Sequence, residues 1–367
     1  MKSRHLSAIA LVLSGTLLFA SCKKTSDVTA PENPDRAKNK EKLHSVLSSN
    51  SLGAQAPGAW WWADEYSDAV TASTARGGGM KDTALLTSFT FLDSALKFTG
   101  LDDVLADPSL QYTVFAPSDK AFMNAGFATI DDLTALGVDA LTNILLYHVT
   151  SGKIFSTDIA VASNTPVTSL QGATLFVTKR ENALPNRKVN VNGCGVYIAD
   201  IDLGNGVMHD INRVLLPPSG TVVDAAIANP DLSYLVAAVL RASQGSTDVL
   251  GVLSGEGPFT LFAPNNAAFM AAGFATIDDI NAADPDALAA ILTYHVIAGR
   301  AFACDVRKGD MPTMLSGGTT LIDVDEAQPD RYLLIKGNSN SSGSYIYKRN
   351  LVSTNGVVHL IDQVLLP

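Results

Sequence analysis

Cysteine is scarce in this chain: three residues in 367, too few to build a disulfide framework. The motifs HExxH, CxxC, GxGxxG, GxxxxGK[ST] and GxSxG are all missing. Zinc peptidase, dithiol redox, dinucleotide, P-loop and hydrolase-elbow chemistry therefore have no sequence support. Basic residues are outnumbered 26 to 36 by acidic ones, for a net charge of −10. A phosphate-binding face needs a basic surplus, so nucleic acid is excluded as a partner. No apolar run reaches the roughly 20 residues that a bilayer-crossing helix needs. What is present is a core-forming composition, 47% hydrophobic and only 17% charged, long enough for two domains.

Lys2 and Arg4 precede a mostly apolar run, Leu6 to Phe19, which reads as the h-region of a signal peptide over residues 1–21. Ala20-Ser21-Cys22 follows, and small residues before a single Cys resemble a bacterial lipobox. Cys22 is then the lipid-attachment residue, and multiple acyl chains give stable anchoring where one is marginal. The implied location is the cell envelope, lipid-anchored to the outer membrane, with the body periplasmic or surface-exposed.

Residues 22–81 read as the lipidated Cys and a flexible stalk, with Pro31 and Pro34 in a polar stretch and Gly77-Gly78-Gly79 as a hinge. Trp60, Trp61 and Trp62 are all the tryptophans of the chain. Such a triplet either stacks on sugars or anchors in a partner, or folds back to cover apolar surface.

Beyond residue 80 the chain repeats itself. Tyr112–Leu133 and Phe259–Ile280 agree at 15 of 22 positions. Ile144–Ile159 matches Ile291–Val306, and Gly206–Pro217 matches Gly356–Pro367, in the same order. This marks two units, residues 82–217 and 218–367, each large enough for its own core. Within each unit, Pro117 and Pro264 close a short strand, and Thr129-x-x-Asp132 and Thr276-x-x-Asp279 read as helix capping boxes. Leu141, Ile144, Leu145 and His148, and again Leu288, Ile291, Leu292 and His295, line one face of a helix. Strand signals follow the helices, which predicts an α+β unit with an antiparallel sheet.

The blocks TVFAPSDKAF and TLFAPNNAAF, LLYHV and LTYHV, and the endings NGVMHDINRVLLP and NGVVHLIDQVLLP resemble the fasciclin (FAS1) domain. The resemblance implies two tandem FAS1-like domains, each a β-sandwich-like wedge packed with α-helices. It implies an extracellular adhesion or interaction module with no catalytic activity and no cofactor. Family positions implicated in partner binding fall on Tyr147, His148, Asp158 and Ile159, and on Tyr294, His295 and Asp305, with Val306 replacing the Ile.

The residues themselves support blander readings alongside. His148 and His295 end apolar helix faces, and His209 and His359 alternate with apolar neighbours on the last strand, so all four read as core histidines. No His pair has ligand spacing, and no metal is expected. Asp158 and Asp305 suit turns or caps, Asp131-Asp132 and Asp278-Asp279 suit helix first turns, and Cys194 and Cys304 read as buried thiols. The expected partner is an envelope or extracellular protein or polysaccharide, with membrane contact through the anchor. The alternative is a glycan- or small-ligand-binding accessory lipoprotein using Trp60–Trp62.

Overall fold

A computed structural model of the chain describes residues 34–48, 88–181, 188–325 and 333–367. Cys22, Trp60, Trp61 and Trp62 lie outside the described residues.

The first repeat runs through helices α1 (Pro34–Ser48), α2 (Thr90–Thr99) and α3 (Leu101–Leu105), strand β1 (Tyr112–Pro117), and helices α4 (Asp119–Asn124), α5 (Ile130–Thr134) and α6 (Val138–Tyr147). Strands β2 (Val149–Ser151), β3 (Thr165–Thr168), β4 (Thr174–Lys179), β5 (Val189–Val191), β6 (Cys194–Gly195), β7 (Ile201–Asp202) and β8 (Gly206–Ile211) follow. The second repeat has α7 (Val222–Ile227), α8 (Ser233–Ala242), α9 (Val249–Ser254), β9 (Phe259–Pro264), α10 (Asn266–Ala271), α11 (Ile277–Ala282) and α12 (Pro285–Thr293). It ends in β10 (Val296–Ala298), β11 (Leu321–Val324), β12 (Leu333–Lys336), β13 (Ser344–Ser353) and β14 (Gly356–Ile361).

The α+β class holds, but the sheets are not purely antiparallel. The first strand of each repeat pairs in parallel with its last, β1 with β8 and β9 with β14. All six residues of β1, β8 and β14 are buried, as expected of strands covered on both faces. One face meets the helices. There Val114, Ala116 and Met208 pack with Leu92, Phe122, Leu141 and Leu145. The other face packs against the second sheet, where Phe115 and Ile211 meet Leu175, Val177 and Val191. The second repeat reproduces both cores. In the first repeat the strands form two four-stranded sheets, β2-β1-β8-β7 and β3-β4-β5-β6. In the second, the ten-residue β13 bends through two register shifts and joins everything into one sheet, β10-β9-β14-β13-β12-β11.

Capping follows the sequence closely. Thr129 with Asp132, and Thr276 with Asp279, form reciprocal capping boxes at α5 and α11. The hydrogen bond from Thr129 lowers the Asp132 carboxyl, leaving it a cap. Asp284 caps α12 with Pro285 at its first position. Asn265 accepts from the Ala268 N–H, whereas Ser118 makes no such side-chain bond.

The expected stalk needs correcting over residues 34–48. Helix α1 lies on α2 and α3, the same pair of helices that α7 covers as α8 and α9 in the second repeat. Leu43 and Leu47 enter the first repeat's helical core at i, i+4, as Val222 and Ala226 do in the second. The polar face is held electrostatically. Lys40 contacts Asp102 and Asp103 at 3.1 and 2.8 Å, Arg36 contacts Asp107 at 3.1 Å, and Lys42 contacts Asp202 at 2.5 Å. His44 sits between Asp93 and Asp102. The Asp103 hydrogen bond raises the Lys40 ammonium, and the Lys42 bond lowers Asp202. An exposed pair such as Lys42–Asp202 contributes little singly. The two buried leucines supply most of the adhesion of α1. Helix α1 therefore belongs to the helical core of the first repeat, as α7 does to that of the second.

Candidate functional site

Tyr147 and His148 close α6, and both side chains are internal. The His148 Nδ1–H donates to the Ile144 carbonyl at 2.8 Å, and Nε2 accepts the Leu215 N–H at 2.8 Å. Those two partners fix one neutral tautomer. Burial pushes the ring down to about 4. The Tyr147 hydroxyl donates to the Thr174 carbonyl at 3.1 Å and accepts from Asn192 Nδ2 at 2.9 Å, and burial raises it to about 12. The second repeat copies the arrangement. His295 donates to the Ile291 carbonyl and accepts the Leu365 N–H, while the Tyr294 hydroxyl donates to the Thr319 carbonyl. The Tyr-His pairs thus brace each fold from inside; as direct partner contacts these four residues are corrected by their burial.

The strand histidines are a second duplicated brace with the opposite tautomer. His209 Nε2–H donates to the Ile154 carbonyl at 2.8 Å, and Nδ1 accepts the Asp200 N–H at 3.2 Å. His359 does the same with Ala301 and Asn350. Each lies against a phenylalanine, Phe115 or Phe262. Burial lowers His209, and it brings His359 to about 4.

Asp158 and Asp305 share one local role and differ in surroundings. Asp158 Oδ2 accepts the Phe155 N–H at 3.0 Å, and Asp305 Oδ2 accepts the Phe302 N–H at 2.9 Å. In the first repeat this turn faces solvent, with Asp158 exposed, Phe155 38% exposed and Ile159 buried beneath. In the second it meets the first repeat. Asp305 Oδ1 accepts from Thr178 Oγ1 at 3.2 Å and from the Arg180 guanidinium at 3.5 Å, and its side chain is 8% exposed.

Asp305 belongs to a wider seam. The Arg300 guanidinium stacks over the Phe176 ring at 4.1 Å and donates to the Gly356 carbonyl, while Phe302 tilts against Phe176 at 6.2 Å. Asn164 Nδ2 donates to the Arg300 carbonyl at 2.7 Å, and Asn350 Nδ2 to the Gly193 carbonyl at 3.1 Å. Gly193 has φ +72°, and a Cβ there would stand 2.5 Å from Asn350 Nδ2 and 2.8 Å from Phe302 Cβ. Only glycine permits this approach. Beside Asp305 a cleft of about 480 Å³ opens, bordered by Lys179, Arg180 and Glu181 from one repeat and Arg307 and Asp310 from the other.

Sequence reasoning did not find this seam. A signal exists: Tyr147 and Tyr294 pin Thr174 and Thr319 as equivalents, so Arg180 stands where the second repeat has Asp325. A charge reversal between otherwise similar repeats marks a position whose surroundings differ. The repeats differ in charge also at Asp210, which stands where the second repeat has the uncharged Leu360. Asp210 is 1% exposed on β8, Oδ1 has no hydrogen-bond partner, and burial raises its carboxyl well above the ordinary value of 3.8. Cys194 donates its S–H to Asn212 Oδ1 at 2.8 Å, and Cys304 lies 3.8 Å from Asp305 Oδ1. Among the described residues no group of three His, Cys, Asp or Glu side chains could hold a metal ion, and no helix is long and apolar enough to cross a membrane.

The profile of the fasciclin domain matches residues 87–217 and 231–367, beginning in each repeat after the first helix. Human periostin is 30% identical over 263 residues, 70% of this chain but 28% of periostin, so the chain spans less than a third of that relative. The cell surface glycolipoprotein MPB83 of Mycobacterium bovis is 31% identical over 192 residues, 52% of this chain and 78% of its own length. A solved FAS1 domain pair from the insect cell adhesion molecule fasciclin I aligns over 76% of this chain and 96% of its own, with 19% identity and a TM-score of 0.36. With both repeats matched over most of their length, the chain belongs to the fasciclin domain family.

Proposed function

We propose that this chain is an envelope-anchored, non-catalytic interaction module, held by a lipid on Cys22 and presenting two FAS1 domains as one unit. The observation that carries the reading is the seam. Arg300 on Phe176, Asp305 on Thr178 and Arg180, and the close approach at Gly193 join the repeats without engaging the exposed turn around Phe155 and Asp158. A joined pair offers a continuous polar surface whose binding groups keep fixed spacing, which lowers the ordering cost of binding an extended partner. The four buried histidines and the buried Tyr147 and Tyr294 all have structural partners, and the likeness to a cell surface glycolipoprotein supports a place at the surface. The partner class is an envelope or matrix polysaccharide or protein.

Two measurements test this. Metabolic labelling with a fatty acid should mark the chain and fail to mark Cys22→Ala. The purified chain should be retained on immobilised envelope material; absence of retention would sink the reading.

A further inference from the structure

We propose that the cleft on the seam binds the carboxylates of an acidic, uronate-bearing polysaccharide through Arg180 and Arg307. This deepens the display reading above and rests on it. Of the three acids lining the cleft, Asp305 and Asp310 are engaged by the protein itself, and Glu181 is exposed. Asp305 accepts from Thr178, Arg180 and the Phe302 N–H, and Asp310 Oδ2 accepts the Arg307 N–H at 2.6 Å. The Lys179 ammonium is satisfied by the Ser156 and Ile159 carbonyls at 2.8 and 2.9 Å. The guanidinium groups are not satisfied. Among the described residues, the one hydrogen bond or ion pair of the Arg180 side chain is the 3.5 Å contact to Asp305, and the Arg307 side chain makes none. Two planar forks of unused N–H donors thus face one open space, the geometry that suits a planar carboxylate.

The lining selects a sugar over a peptide. Strand β4, which supplies Lys179, is paired on both sides by β3 and β5, so it offers no edge for strand addition. Val161 and Ala162 are the apolar residues lining the cleft, too little surface for a side-chain anchor. The Ser163 hydroxyl and the exposed Glu181 carboxylate supply the mixed donors and acceptors that ring hydroxyls require. A volume of about 480 Å³ falls in the range of small-molecule clefts.

The test is calorimetric titration of the full chain in detergent with polygalacturonate, its methyl ester and poly-glutamate. Polygalacturonate should bind saturably, with the ester and poly-glutamate both weaker by about tenfold or more, since each charge-assisted bond lost costs at least that. Arg307→Gln should weaken binding about tenfold at unchanged melting temperature, because Arg307 is exposed and its side chain braces nothing. Arg180→Gln should weaken it similarly. No binding by the parent chain overturns the proposal, as does equal binding of the ester, preference for poly-glutamate, or an Arg307→Gln chain that binds as well as the parent. The same variants applied to immobilised envelope material separate the two readings. Undiminished retention of Arg307→Gln alongside absent uronate binding removes the cleft alone, whereas no retention of the parent removes the display function.

Discussion

The backbone N–H of Leu215 donates to His148 Nε2 across 2.8 Å, fastening the last segment of the first repeat to the C-terminal end of α6. Leu365 and His295 repeat the bond at the same distance. The bond exists only while the ring is neutral. His148, His295 and His359 have pKa values lowered from 6.5 to about 4 by burial. A depressed folded-state value means their stabilisation is fully present above pH 6.5 and is lost as pH falls through about 4. Each contributes on the order of 3 kcal/mol across that interval. Urea midpoints should drop steeply between pH 6.5 and 4. His148→Gln should lower the midpoint at pH 7 and flatten the slope; an unchanged slope would contradict the assignment.

Asp210 should act in the other direction. Its folded-state value is raised, so its contribution is fully present below 3.8 and is lost as pH rises through the folded value. At pH 7 the first repeat carries a buried carboxyl with an unpartnered oxygen where the second has Leu360. Asp210→Leu should raise unfolding free energy at pH 7 by about 1–3 kcal/mol, with a smaller gain at pH 4. Chemical denaturation at the two pH values decides it.

Helix α1 should count as core. Leu47 is 1% exposed, and Leu47→Ala should cost about 2–5 kcal/mol. The loss should fall on the first repeat, seen as earlier hydrogen exchange in α2 and α3 with the second repeat unchanged. Lys42→Ala, by contrast, should cost under about 1 kcal/mol, since both it and Asp202 are exposed.

Gly193→Ala should loosen the seam. The new methyl collides with Asn350 and Phe302, and the positive φ adds strain. Small-angle scattering should report a larger radius of gyration, and cleavage near Pro217-Pro218 should accelerate. A variant with the parent's scattering profile would show that the approach at Gly193 does not hold the repeats.

Much of the fold is legible in the sequence because duplication prints the same signals twice. The strand-then-Pro blocks, the Thr-x-x-Asp caps and the four inward histidines all read correctly from spacing and neighbours. The parallel pairing of β1 with β8 does not, since an all-apolar six-residue run fits parallel and antiparallel partners equally. Helix α1 is hidden because, among its described side chains, Leu43 and Leu47 alone are deeply buried in a charged segment, which reads as solvated. The seam is hidden for a different reason. Asp158 and Asp305 sit in the same local turn, and only the three-dimensional neighbour, solvent or Arg180, separates them. Local pattern encodes the turn; the docking is encoded far away, at Phe176 and Gly193.

The joint between the repeats is heterologous: a turn of the second meets a strand surface of the first, and neither uses the patch its counterpart uses. Two like bodies that met through one common patch would close on themselves and hide both copies of it. This joint closes nothing. It leaves the first repeat's turn at Phe155 and Asp158 outside the joint while the second repeat's equivalent turn is spent on it, so the two copies are free to diverge in what they touch while their alignment stays fixed.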